Sequence, residues 1–239
     1  SCGKEKKFRE GQKMQTLDDL SFVFIETVSK LKPKVVVIEN VEGLILGEAF
    51  IYVQTIYKQL EEAGYKVHHW LLKGEKMGVP QKRHRVFFVA CRDDIGINPS
   101  DLDMVFNYEP IPYGTFKTKD EKAVKGKMHD AISTAKYGET VEQIMKRAYG
   151  VKSGITHRMA WEQDVFPTQI ADHGDIWTAN GNHPSNEDVI HAQTFPEDYD
   201  LDGMKPEYIC GMSVPPVMMK RIVQRLIING VFKYKGVTI

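Results

Sequence analysis

The sequence predicts an α/β fold, and three observations predict it. Leu17, Leu20, Phe24, Val28 and Leu31 recur at helical spacing and run up to Pro33. A β-branched run, Val35-Val36-Val37-Ile38, follows at once and ends in the polar pair Glu39-Asn40. A second apolar run, Val86-Phe87-Phe88-Val89-Ala90, comes after one more helical and one more strand-like segment, so the two kinds of element alternate.

Each element has a local cause. Pro33 ends the first helix because proline has no N–H to donate and its ring clashes with the preceding turn. Lys34 to Asn40 carries a continuous β-branched run without alternation and ends in polar residues, which reads as a strand buried on both faces, as in a parallel sheet. Ala49 to Ala63 is the next helix, stopped by Gly64. Tyr65 to Leu72 and Arg85 to Cys91 are the remaining strands. From Asp93 to Gly126, Pro, Gly, Asp and Asn break the pattern. Helices are expected at Met128 to Thr134, Glu139 to Ala148 and Asn186 to Gln193, with a short strand at Thr168 to Ala171. The polar stretch from Ser153 to Pro184 makes this middle a second, irregular domain. The last element, Val217 to Ile228, opens after Pro215 and Pro216, where a missing N–H is tolerated.

Composition narrows the class. The chain has 239 residues, enough for one large domain or two modest ones. Its 32 basic and 32 acidic residues cancel, so any polyanion would have to meet a local basic face. Two stretches supply one: Lys4, Lys6, Lys7, Arg9 and Lys13, then Lys73, Lys76, Lys82, Arg83, Arg85 and Arg92. No apolar run approaches the ~20 residues of a membrane helix. Residues 1–10 are charged and lack a signal core. Cys2, Cys91 and Cys210 are too scattered for a metal or disulfide pattern. A reducing cytoplasm is the expectation.

Two segments carry chemistry. Glu39 sits where a buried strand ends, and open α/β sheets bind ligands outside the carboxyl ends of their strands. Gln81-Lys82-Arg83-His84-Arg85 follows a turn at Gly78 and Pro80. On an extended segment Gln81, Arg83 and Arg85 share a face, and an amide with two guanidinium forks suits phosphates and base edges.

Taken in order, these segments resemble the cytosine-5 DNA methyltransferase family. The strand ending in Glu39-Asn40-Val41 and the Gln-x-Arg-x-Arg at 81–85 match two of its motifs. Gln193-Thr194-Phe195-Pro196 and Gly211-Met212-Ser213-Val214-Pro215-Pro216 match its last two. Asp130-Ala131-Ile132 and Phe166-Pro167-Thr168 fall where such enzymes carry similar words.

The resemblance implies a partial Rossmann-like methyltransferase sheet plus a smaller, irregular target-recognition domain. Its boundaries would be 1–95 for the C-terminal half of the catalytic domain and 96–209 for the DNA-reading domain. Residues 210–239 would be a terminal helix packing back on the catalytic domain. The implied reaction moves a methyl group from S-adenosylmethionine to carbon 5 of a cytosine flipped out of duplex DNA. Glu39 would donate to ring nitrogen 3, and Arg85 would hold oxygen 2. Arg83 would stand beside it near the phosphates, and Asn40 would brace the nucleophile loop. Ser213 and Val214 would face the cofactor. Gln81, Lys82 and Arg83 would touch DNA, with Lys136, Arg147, Lys152, His157 and Arg158 as further candidates. Close motif spacing suits a prokaryotic or phage enzyme, as in restriction–modification.

The sequence departs from the family in places. The family's nucleophile is a cysteine after a proline, but Ser1 precedes Cys2 and Gly3-Lys4-Glu5 follow it. No Gly-x-Gly turn opens the chain. The expectation is therefore a chain that starts downstream of the nucleophile and most of the cofactor pocket. Met212 replaces a usual Asn, and His191-Ala192 stand where Arg-Leu is common. A methyltransferase-like DNA-binding protein without activity is the alternative, against which Glu39 and Arg85 are both retained.

Overall fold

The structure is a computed structural model, and it describes residues 20–46, 49–152, 156–171 and 175–232. Its elements alternate as α1 (Leu20–Leu31), β1 (Val35–Val41), α2 (Phe50–Glu62), β2 (Tyr65–Lys73) and β3 (His84–Arg92). There follow α3 (Lys127–Ile132), α4 (Val141–Tyr149), β4 (Arg158–Ala160), β5 (Ile176–Thr178), α5 (Asn186–Ala192), α6 (Pro206–Met212) and α7 (Pro216–Ile228). The chain divides into two units. One takes in the described residues of 1–72, 84–105 and 222–239, and the other those of 73–83 and 106–221.

The first unit is a three-stranded sheet in the order β1-β3-β2 with α1 and α2 against one face. Alternation sets that face. Val36 and Ile38 of β1 and Val86, Phe88 and Ala90 of β3 point the same way and join Ile25 and Val28 of α1 and Val53, Ile56 and Leu60 of α2. The α2 positions recur every three or four residues, the spacing of one helix face. Gly64, at φ 86°, takes the left-handed turn that ends α2 at little cost.

The parallel partner expected for β1 is not what the structure shows. β1 pairs antiparallel with β3, from Val35 opposite Cys91 to Val41 opposite Arg85. An uninterrupted apolar run reports burial and says nothing of direction. The central strand β3 is buried from Val86 to Cys91, whereas β1 is fully buried only at Val36 and Ile38.

The second unit has several small cores. Tyr113, Phe166, Ile176, Val189 and Cys210 form one, and Ile132, Val141, Ile144 and Trp177 form another. Local signals define its helices. Thr140 caps α4 and Gln143 reaches back to it, and Ser185 and Asp188 do the same for α5. Here β4 and β5 pair in parallel over three residues each. The strand expected at Thr168 to Ala171 does not form. Side chains take its backbone bonds instead: Gln169 N–H donates to Gln81 Oε1 at 3.2 Å, and Gln169 C=O accepts from Arg83 at 2.9 Å. Gly211 is needed for close approach, because a Cβ there would fall against the Ile170–Ala171 peptide.

Leu60 is fully buried in the core of the first unit. Leu60→Ala is expected to cost about 2–5 kcal/mol, read as a lowered urea midpoint with unchanged slope.

Candidate active site

Glu39 and Arg85 meet across the β1/β3 ladder. The register places Glu39 opposite Phe87 and Arg85 opposite Val41, so the two are diagonal neighbours on the sheet face away from α1 and α2. Arg85 Nε stands 2.8 Å from Glu39 Oε1, with the side chains 14% and 30% exposed. Arg85 Nη1 donates to the His84 carbonyl at 2.8 Å. Burial lowers the Arg85 pKa and Glu39 pulls it back up. An arginine so placed keeps its proton at any physiological pH. Next to the pair, Asn40 Oδ1 accepts from the Val41 N–H at 2.8 Å. A carboxyl and a fixed guanidinium side by side form a site able to exchange a proton while holding a polar oxygen.

The segment before β3 behaves differently. Gln81 and Arg83 are buried and Lys82 between them is exposed, with the Arg83 N–H turned back onto the Gln81 carbonyl at 2.9 Å. Gln81 and Arg83 were expected at DNA, yet they are 0% and 1% exposed and bonded within the second unit. Arg83 Nη1 donates to Gln169 C=O at 2.9 Å, and Nη2 to Gly211 C=O at 2.9 Å and Ser213 C=O at 2.5 Å. Gln81 Nε2 donates to Gln193 Oε1 at 3.0 Å. Gln193 Nε2 in turn donates to Ser213 C=O at 2.9 Å and to its hydroxyl at 2.8 Å. Three motif segments distant in sequence thus close on one buried polar network. Of the three residues expected to touch DNA, Lys82 alone presents its side chain to solvent.

The other candidates are placed as follows. Arg147 is bound to Glu139 at 2.9 Å and to Thr134, and Arg158 donates to the Thr156 carbonyl at 3.3 Å. His157 Nδ1 accepts from the Asp175 N–H at 3.2 Å. Lys136 and Lys152 are exposed. Cys2 lies outside the described residues. Cys91 and Cys210 are buried, and burial raises both thiols, Cys210 to about 12. Neither is a ready thiolate. Among the described residues, no group of three or more His, Cys, Asp or Glu could hold a metal ion, and no helix is long and apolar enough to cross a membrane.

Sequence reading missed the centre of the second unit. Asp188, fully buried, accepts from Tyr113 Oη at 2.7 Å and from the Thr118 N–H at 2.8 Å. The hydroxyl of Tyr113 is held far from ionisation, by burial first and then by Asp188. Ser185-x-x-Asp188 was the available signal, a capping motif whose acid also reaches inward.

The family model for C-5 cytosine-specific DNA methylases matches residues 1–186. The chain belongs to this family. Among its relatives is the Type II methyltransferase M.PspPI of Psychrobacter, 25% identical over 219 residues, covering 77% of this chain and 51% of the relative. Another is M.FnuDI of Fusobacterium nucleatum, 33% identical over 165 residues, covering 64% of this chain and 45% of the relative. The chain therefore spans about half the length of these curated relatives. Two solved structures share the fold. A candidate DNA modification methyltransferase encoded within an Escherichia coli prophage superposes with TM-score 0.66 at 15% identity, over 88% of this chain and 73% of that one. The Dnmt2 methyltransferase of S. pombe gives 0.55 at 12% identity, over 90% and 74%. The family match stops before Gln193 and Ser213, which the buried network nonetheless ties to Gln81 and Arg83.

Arg83→Met keeps much of the side chain's bulk but removes a donor from the Gln169, Gly211 and Ser213 carbonyls, of which Ser213 keeps Gln193. It is expected to cost several kcal/mol, about 3 or more, and to lower the thermal midpoint of the protein. With its thiol near 12, Cys210 is almost all thiol at pH 7 to 8. Cys91 and Cys210 should resist iodoacetamide at that pH in native protein and react once it is denatured, as read by peptide mass spectrometry.

Proposed function

We propose that this chain supplies the acid and arginine of a DNA cytosine-5 methyltransferase, which transfers a methyl group from S-adenosylmethionine to carbon 5 of a cytosine flipped out of double-stranded DNA. The observation that carries this reading is the Glu39–Arg85 contact of 2.8 Å at the end of the β1/β3 ladder.

The chemistry follows from what cytosine lacks. Carbon 5 is a poor nucleophile until a thiolate adds to carbon 6. That addition pushes electron density onto ring nitrogen 3 and oxygen 2. Glu39 carries the proton that nitrogen 3 takes up, and Arg85 donates to oxygen 2 as its negative charge grows. Their mutual contact sets both before the base arrives, so little reorganisation is left for the moment of reaction. Cys91 and Cys210 do not supply the thiolate, because both are buried and held as thiols.

Ser213, offered with Val214 as a cofactor contact, already engages its carbonyl and hydroxyl within the chain. The Ser213 carbonyl accepts from Arg83 and Gln193, and its hydroxyl donates to Cys210 C=O at 3.3 Å. The steps above therefore run on the base side only. Lys82, exposed beside the buried Gln81 and Arg83, is the phosphate contact of its segment. The first unit is the catalytic half, and the second, with its irregular middle, reads the target sequence. A bacterial or phage-infected cytoplasm is the setting, since M.PspPI is bacterial and the orphan methyltransferase M.SPRI comes from Bacillus phage SPR.

Bisulfite sequencing of DNA from cells expressing the full-length protein should show one methylated cytosine context. Glu39→Gln and Arg85→Ala should each lower transfer by about 10²- to 10³-fold in the purified protein while DNA binding persists. Methylation at the original rate in Glu39→Gln would overturn the role given to that acid.

A further inference from the structure

The connection from β2 to β3 shows charge of one sign on its surface. From Lys73 to Arg83 the charged side chains are Lys73, Glu75, Lys76, Lys82 and Arg83. Arg83 is buried, and Glu75, the only acid of the stretch, has its Oε2 buried. Lys73, Lys76 and Lys82 are exposed, and among the described residues none of the three ammonium groups is in an ion pair. Several lysines elsewhere are paired, as Lys30 is with Glu26, Lys117 with Glu121 and Lys122 with Glu207.

The backbone gathers these lysines. Gly74 N–H donates to Arg83 C=O at 2.9 Å, and a Cβ on Gly74 would stand 3.2 Å from the Gln81 and Arg83 carbonyls. Lys73 and Lys82 therefore leave neighbouring stretches of main chain. The Met77 and Val79 N–H groups both donate to Gly74 C=O, at 2.8 and 3.1 Å, and fold the loop that carries Lys76 onto the same point. A fourth cation stands beside it. The Arg221 guanidinium lies 4.3 Å over the Tyr108 ring, and its Nε donates to Met77 C=O at 3.4 Å. The Tyr108 N–H donates to Lys76 C=O at 3.0 Å, and the ring is 40% exposed, so the stack lies at the surface of this loop.

Like charges gathered on one loop repel, which costs the fold and brings a return only when a polyanion meets them. Ammonium groups on flexible stems are point charges without a fork for base edges, so they suit phosphate oxygens. Spread over a loop, they suit a row of phosphates better than one enclosed anion. From this arrangement we propose that Lys73, Lys76 and Arg221, together with Lys82, form a seat for the phosphate backbone of the DNA substrate. The seat holds the strand by charge and reads no sequence. The inference rests on the reading of this chain as part of a DNA methyltransferase. The chain keeps the seat near the proposed chemistry, because Lys82 precedes Arg85 by three residues.

The test is fluorescence anisotropy of the full-length protein with two labelled DNA duplexes, one carrying the context methylated in cells and one lacking it, at salt from about 50 to 200 mM. Each cation that loses its phosphate should lower the slope of log affinity against log salt by about 0.9. The double variant Lys73→Gln, Lys76→Gln is therefore expected to lower it by about 1.8, and Arg221→Gln by about 0.9. Both should weaken the two duplexes by the same factor. Lys58→Gln, which removes an exposed charge from α2, should leave the slope as it was. An unchanged slope in the double variant or in Arg221→Gln would overturn the proposal. So would an equal fall per charge in Lys58→Gln, since net charge would then account for the effect. A loss confined to the duplex with the methylated context would also overturn it, because the seat would then be reading bases. Failure of the underlying reading looks different: the unsubstituted protein would bind neither duplex.

Discussion

A guanidinium buried in protein is tolerable only when its donors are answered, and the second unit is arranged around answering one. Arg83 is almost wholly removed from solvent and gives hydrogen bonds to the carbonyls of Gln169, Gly211 and Ser213. An unanswered charge at such a place would cost several kcal/mol. Two segments, at 169 and at 211–213, must therefore converge on it, and each shows the consequence. The 168–171 segment gives up strand pairing to do so. Residue 211 has to be glycine to let that segment in. Gln81 and Gln193 fill the remaining gap, one amide bonded to the next.

Two residues further along, an arginine of the same motif lives by other rules. Arg85 is part of a ladder, its direction set by register and by a carboxylate on the neighbouring strand. Burial there is incomplete, which leaves the pair reachable from outside the sheet. Arg83 is thus enclosed among main-chain acceptors, and Arg85 is held at the end of a ladder beside a carboxylate. The sequence word Gln-x-Arg-x-Arg conceals that division, because the same side chain serves either end.

What was legible in the sequence was what short-range physics determines. The helices α1, α2, α4, α5 and α7 and all three strands of the larger sheet follow from apolar period, stop residues and caps. The strand that carries Glu39 was legible because four apolar β-branched residues precede that residue. The direction of β1 was not legible, since Val35 to Ile38 would read alike in either kind of sheet. Nor was the inward fate of Gln81 and Arg83, whose partners lie more than eighty residues away: a backbone N–H and a side-chain amide for the first, main-chain carbonyls for the second. The short helix α6 and the β4/β5 pair were missed for a related reason. Three residues of strand or two turns of helix hold only because the cores around Cys210 and Trp177 bury them.

The partners of Arg83 have one more property, which bears on how such a protein tolerates change. All three acceptors belong to the main chain, and every amino acid carries the same carbonyl. Side chains at 169 and 213 could be exchanged without depriving the guanidinium of a partner, provided the backbone path survives. The second unit can in this way drift in sequence around a tie that is indifferent to the letters it connects.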